Sequence, residues 1–263
     1  MRCLICYYSG SGNTKLACDY IAGKIKTAEF DFYNILENKT IDCANYAIIG
    51  FAAFADYWGP SPKFKSFVRS LQKCPGKPAF VFNTYGMISG GTLRVMYKLV
   101  AQKGFRIVAG HTLHMPENIG AMIVMGMGNE QAPNVKEMSA FNDFIKSLSD
   151  CLSSPEALAR AKRFRLPLRD RFMPVWPRFI GKSQMGPKFV DTELCTKCRK
   201  CINVCPYGAI TMTDFPKFDE KKCCACWACY NHCPTLAIYM KKYRGKGHYP
   251  APIKAVREKL KVE

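Results

Sequence analysis

A chain of 263 residues, 48% hydrophobic and 22% charged, is long enough for two modest domains and has the composition of folded protein. Its longest apolar runs, residues 46–55 and 119–127, fall short of the roughly 18 to 20 residues that a membrane-spanning helix needs. The formal net charge of +19 comes with no nucleic-acid-binding motif, and fifteen cysteines in a chain without an export signal predict metal ligation in a reducing cytoplasm in place of disulfides.

Residues 2–8 are apolar but run straight into a glycine-rich turn with no small-residue cleavage site, so they read as a buried strand and not as a signal peptide. Residues 13–26 follow as a helix, with Leu16, Ala17, Tyr20, Ile21 and Ile25 spaced at three and four. Phe30, Phe32 and Ile35 mark a second strand region. Residues 46–51 form a third strand, continuously apolar as a strand covered on both faces must be. Ser61 and Pro62 cap and open a helix over 62–71. A strand at 79–82, a helix at 92–102 closed by Gly104, a strand at 105–109 and a helix at 135–148 complete the series. Five strands separated by helices predict an α/β domain over 1–150, a doubly wound five-stranded parallel sheet.

Residues 151–188 break that rhythm. Pro167, Pro174, Pro177 and Pro187 interrupt a basic stretch that carries Trp176 and Phe179, which predicts an ordered linker because its aromatics need somewhere to pack. Residues 189–240 form a small second domain, and 241–263 a basic tail with a terminal helix. Lys and Arg exceed Asp and Glu by five in 1–150, seven in 151–190, one in 191–240 and six in 241–263. The excess in linker and tail reads either as a surface for an acidic redox partner or an anionic membrane, or as compensation for the chain's own negative cofactors.

Nine of the cysteines lie between Cys195 and Cys233, in an internal repeat offset by 28 residues. Cys195-x-x-Cys198-x-x-Cys201-x-x-x-Cys205-Pro206 is followed by Ala209-Ile210; Cys223-x-x-Cys226-x-x-Cys229-x-x-x-Cys233-Pro234 is followed by Ala237-Ile238. Thiolates are soft ligands suited to iron–sulfur clusters, and four are needed per cubane. Two-residue spacers let three sulfurs converge on one cluster, while the proline after the fourth turns the chain and sends that sulfur to the other cluster. The expected sets are therefore Cys195, Cys198, Cys201 and Cys233 for cluster 1, and Cys223, Cys226, Cys229 and Cys205 for cluster 2. Structural zinc would gain nothing from the third step or the proline. Cys224 is extra to both sets, and Cys3, Cys6, Cys18, Cys43, Cys74 and Cys151 are expected to pack as small apolar residues. Residues 189–240 resemble the bacterial two-cluster ferredoxin, a small α+β domain; the resemblance implies two 4Fe–4S clusters close enough for electrons to hop between them.

Between the first strand and first helix lies Ser9-Gly10-Ser11-Gly12-Asn13-Thr14. The glycines let the backbone turn tightly and present N–H groups to a phosphate, the side chains of Ser9, Ser11, Asn13 and Thr14 add donors, and the helix amino terminus adds positive potential. No lysine is built into the turn, which sets it apart from a nucleotide-hydrolysing loop. The turn resembles the flavodoxin phosphate loop, with its hydroxyl residue before Gly-Asn-Thr, and the resemblance implies FMN at the carboxyl ends of the strands of a flavodoxin-like sheet. Two later loops are expected to grip the flavin ring: residues 51–60, carrying Phe54, Tyr57 and Trp58, and 83–86, with Thr84, Tyr85 and Gly86. The first is longer than in ordinary flavodoxins, and the usual acidic stretch is missing. His111 and His114, with Pro116-Glu117-Asn118, either line the flavin pocket or belong to a solvated loop.

Taken whole, the chain resembles the flavodoxin–ferredoxin fusion proteins of anaerobic bacteria and archaea. The resemblance implies an electron-transfer protein relaying electrons between two 4Fe–4S clusters and FMN, and so between a low-potential partner and an acceptor. An FMN-dependent oxidoreductase reducing a quinone or nitro compound, and a redox-sensing or assembly protein, are the alternatives. No nucleophile–base set is evident.

Overall fold

The computed structural model describes residues 1–37, 41–240 and 243–261. In chain order the first domain runs β1 (Arg2–Tyr7), α1 (Asn13–Lys24), β2 (Glu29–Asn34), β3 (Ile48–Phe54), α2 (Pro62–Ser70), β4 (Pro78–Tyr85), α3 (Thr92–Gln102), β5 (Arg106–His114), α4 (Gly120–Val124) and α5 (Val135–Cys151). All strand pairs are parallel, and the sheet order is β2-β1-β3-β4-β5. The winding reverses between β1 and β3, which opens a crevice at their carboxyl ends.

The strand pleat sends alternate residues to opposite faces. Cys3 and Ile5 of β1, Ile48 and Ala52 of β3, and Phe80 and Phe82 of β4 pack with α1 and α5. Leu4, Cys6, Ile49, Phe51, Ala79 and Val81 pack with α2 and α3. The six scattered cysteines carry free thiols, with Cys3, Cys6, Cys18 and Cys43 buried. Ser61 Oγ accepts from Phe64 N at 3.2 Å at the start of α2, and Asn134 and Glu137 form a reciprocal capping box at the start of α5. Helix α5 continues past Leu148 to Cys151, since nothing breaks it before Ser153-Ser154-Pro155.

The first core also draws in later segments. Leu152, and Leu158 of α6 (Pro155–Arg160), are buried in it, so packing carries on past residue 150. Helices α7 (Leu168–Phe172) and α8 (Arg178–Met185) follow in the linker. The linker is tied to the sheet: Gly91 N donates to Pro174 O at 2.8 Å, and Arg94 Nη2 to Met173 O at 2.9 Å. Trp176 packs on Trp58 with ring centroids 5.2 Å apart. Phe179, expected to pack as well, stays 70% exposed, because the anchoring falls to its neighbour Arg178.

The second domain comprises β6 (Phe189–Val190), α9 (Lys200–Asn203), β7 (Ile210–Met212), β8 (Pro216–Phe218), α10 (Ala228–Asn231) and β9 (Ile238–Tyr239), paired as antiparallel β6·β9 and β7·β8. The repeat recurs in its backbone. Left-handed conformations fall 28 residues apart, at Lys197 and Ala225, Arg199 and Trp227, and Gly208 and Leu236. Non-glycine residues there each cost about 1–3 kcal/mol, a strain held only where surroundings fix the loop.

The tail carries the expected terminal helix. Helix α11 (Lys254–Lys259) places Val256 and Leu260 in the first core, and Lys259 Nζ donates to Gln131 O at 2.6 Å and Pro133 O at 3.0 Å. Its spacing of four puts both apolar residues on one helix face. Lys241, Lys242, Val262 and Glu263, part of the expected tail, lie outside the described residues. No helix among the described residues is long and apolar enough to cross a membrane.

Candidate functional site

Residues 9–14 turn from β1 into α1 at the crevice. Gly12 opens α1 with φ +95°, a conformation that a side chain resists. Gly12, the residue before α1, has no side chain to cap the helix and no acidic residue lies in its first turn, while Ser9 Oγ accepts from Lys15 N at 3.3 Å. The amino-terminal N–H groups of α1 therefore suit an anion. Ser11 and Thr14 are buried beside them. Thr14 Oγ1 shares a 2.8 Å hydrogen bond with Thr84 Oγ1, and Ser11 Oγ accepts from Asn118 Nδ2 at 3.0 Å.

One pocket gathers Ser9, Gly10, Ser11, Asn13 and Thr14 with Phe54, Thr84, Tyr85 and Gly86. Gly12, Tyr57 and Trp58, also expected there, are not among its lining. The Asn13 side chain is engaged elsewhere, donating to Pro116 O at 3.1 Å and accepting from Tyr249 OH at 2.9 Å. Tyr57 and Trp58 point away, because both adopt left-handed backbone in a turn closed by Asp56 N donating to Gly59 O at 2.7 Å. That turn lays Tyr57 against Arg178, with its hydroxyl donating to Gly181 O at 3.2 Å, and Trp58 against Trp176.

In place of those rings the pocket takes Ala55, Met115, Pro116, Glu117 and Asn118. Glu117 is buried, and its carboxylate accepts from Met87 N, Asn118 N and Ile119 N at 3.2, 2.8 and 3.0 Å. Burial pushes the carboxyl above its ordinary range against the pull of those N–H groups. The two histidines sit in β5 and not in a loop. His111 stacks among Phe82, Phe141 and Phe144, where burial pushes its pKa down to about 4. His114 stacks on Tyr85 with centroids 5.0 Å apart, and its Nδ1 lies 2.9 Å from Glu137 Oε1.

In the second domain two further small cavities are lined by spaced cysteines, five at the first and four at the second. Cys205, Cys223, Cys226 and Cys229 surround the first; Cys195, Cys198, Cys201 and Cys233 surround the second. Backbone N–H groups point at the sulfurs: Ala209 N and Ala237 N, one repeat apart, donate to Cys205 Sγ and Cys233 Sγ at 3.4 and 3.2 Å. Among the described residues no three His, Cys, Asp or Glu side chains meet as a single metal ion would need. A cubane makes no such demand, because each thiolate takes a different iron. Cys224, extra to the expected sets, also lines the first cavity and shows its carbonyl to the linker.

The first of these cavities is the inner one. Trp227, beside it, is buried with Ala121 of α4, Met185 of α8 and Tyr230. Arg178 donates to the Asp56 carboxylate on one side and the Cys224 carbonyl on the other, bridging the two domains. Asn231 Nδ2 donates to Asn118 O at 2.8 Å, and His232 Nε2 donates to Gly10 O at 3.1 Å. The other cavity faces outward, with Cys198, Lys197, Arg199 and Lys200 exposed. An open cleft of about 1140 Å³ runs between the sites: Ser9 and Gly10 line both it and the pocket at the start of α1, and Cys205 and Ala228 line both it and the inner cavity.

Residues 4–103 match the family described as a flavodoxin domain, and residues 188–211 and 216–239 match that of the 4Fe–4S binding domain, once per repeat. The chain is a flavodoxin domain fused to a 4Fe–4S ferredoxin domain. Several solved flavodoxins are similar to it at low identity. One from the domain Archaea is 15% identical with a TM-score of 0.44, covering 59% of this chain and 100% of its own. Flavodoxin 1 from Bacillus cereus is 18% identical with a TM-score of 0.42, covering 56% and 96%. Rubredoxin oxygen:oxidoreductase from Desulfovibrio gigas is 11% identical with a TM-score of 0.42, covering 59% and 37%. No curated protein matches the chain. The pairing of a flavodoxin with a ferredoxin domain supports an electron-transfer role through FMN and iron–sulfur centres.

Proposed function

We propose that this fusion protein relays electrons between two 4Fe–4S clusters and FMN, and through them between a low-potential redox protein and an acceptor. The observation that carries this reading is the cleft whose walls run from Ser9 and Gly10 of the flavin pocket to Cys205 and Ala228 of the inner cysteine cavity. When bound, FMN supplies one- or two-electron chemistry and each cubane one-electron chemistry. The chain positions them. Ser9, Ser11, Thr14 and the start of α1 hold the phosphate; Phe54, Thr84, Tyr85, Gly86 and Glu117 form the ring pocket. Cys205, Cys223, Cys226 and Cys229 hold the inner cluster, and Cys195, Cys198, Cys201 and Cys233 the outer. Arg178, Trp227, Asn231 and His232 fix the ferredoxin domain against the flavin site. The exposed Lys197, Arg199 and Lys200 around the outer set fit an acidic redox partner.

Ser11→Ala combined with Thr14→Ala is expected to lower FMN occupancy at unchanged iron content, checked by flavin release and iron assay on the same sample. Undiminished flavin contradicts the phosphate site. The breadth of the cleft favours a second reading, in which a quinone or nitro compound is reduced there; saturable turnover with such a compound separates the two.

A further inference from the structure

The 28-residue repeat gives wall positions of one cysteine cavity counterparts in the other. Cys205, Ala209 and Ile210 line the inner cavity as Cys233, Ala237 and Ile238 line the outer. The same offset pairs Lys188 with Pro216, and each of these also lines its cavity. One brings an ammonium, the other only ring methylenes.

The Lys188 side chain is 2% exposed. Its Nζ lies 3.0 Å from the Glu220 carboxylate, which is itself 43% exposed, and the residue lines the inner cavity together with Cys223 and Cys229. Lysine is rarely buried this fully, and an exposed glutamate does not require it to be. The cations of the outer cavity, Lys197 and Arg199, stand in solvent, where water and salt screen them.

We propose that Lys188 is the potential-setting residue of the inner cluster, and that the repeat is electrostatically asymmetric at this one buried position. The proposal rests on the assignment of Cys205, Cys223, Cys226 and Cys229 to that cluster. One-electron reduction adds a negative charge to a centre already made negative by four thiolates. Burial penalises that charge more at the inner cluster than at the exposed outer one. A cation held out of water beside two of the four ligands offsets the penalty and raises the reduction potential. Glu220 opposes it in part. Without Lys188 the inner cluster would be the harder of the two to reduce, a barrier between the exposed cluster and the flavin.

The test is an anaerobic redox titration with dithionite as electron donor, followed by electron paramagnetic resonance, with iron and sulfide counted on each sample. Lys188→Gln is expected to shift the inner cluster's reduction equilibrium about tenfold or more against reduction, 59 mV for one electron. Lys188→Arg restores it, Glu220→Gln shifts it the opposite way, and the outer cluster stays put in all three. Glu220→Gln removes only a half-exposed charge, so it decides the matter even where Lys188→Gln loses iron. Full iron content with an unmoved inner potential in Glu220→Gln overturns the inference and leaves the cluster assignment standing. Wild-type protein without iron–sulfur centres overturns both.

Discussion

Cys205→Ala is expected to cost the chain the cluster held by Cys223, Cys226 and Cys229, and to spare the one nearest in sequence to the substitution. Cys205 lines the inner cavity with those three residues, although Cys201 precedes it by four positions. Iron should fall from about eight to about four atoms per chain, since each cubane holds four. Cys233→Ala should do the converse and empty the cavity of Cys195, Cys198 and Cys201. The two variants differ in their wider effects. The inner cavity is walled by Trp227 and Met185 of the interdomain core, so losing its cluster should also loosen the ferredoxin domain against the flavin site. None of the residues lining the outer cavity belongs to the interdomain core, and its loss should stay local. Spectroscopy that finds the Cys195 set damaged in Cys205→Ala would show the ligands uncrossed.

Removing Arg178 should give the largest stability loss outside the cysteines. Its guanidinium stands between the Asp56 carboxylate, with 8% of that side chain exposed, and the Cys224 carbonyl, and it lies over the Tyr57 ring. Arg178→Leu leaves Asp56 buried without its partner, a change worth about 3–5 kcal/mol. Burial already holds the Asp56 carboxyl above its ordinary range, with Arg178 pulling the other way. In the variant that pull is gone and the pKa rises further. A carboxyl whose folded pKa lies above its unfolded value binds more protons when folded, so stability falls as pH rises through the folded pKa. The deficit of Arg178→Leu should therefore be greatest at neutral pH and shrink as pH is lowered. Asp56→Asn in the same chain should recover much of it at pH 7. Denaturant unfolding at two pH values checks both; a deficit independent of pH and untouched by Asp56→Asn would mean that the pair is not what Arg178 supplies.

The sheet was legible because its strands are short continuous apolar runs between helical periodicities, a pattern that buried parallel strands impose on sequence. The cysteine repeat was legible because its spacing is local. What escaped the sequence depends on backbone conformation and tertiary packing. Tyr57 and Trp58 are aromatic residues in a loop beside the pocket, yet a left-handed turn carries them to the linker. Asn13 looks like a phosphate donor, and only the arrival of Tyr249 from the far end of the chain shows how it is engaged. The terminal helix was expected, but not that Val256 and Leu260 would enter the core of the first domain. Lys188 stands opposite Pro216 in the repeat as one mismatch among several, and burial alone gives it meaning.

The central claim is that eight thiols and one pocket on this chain hold two iron–sulfur cubanes beside a flavin. Protein purified without oxygen and supplied with iron, sulfide and FMN is expected to retain about eight iron, eight sulfide and one FMN per chain. Zinc in the cysteine cavities, or a colourless flavodoxin domain despite ample FMN, would contradict it.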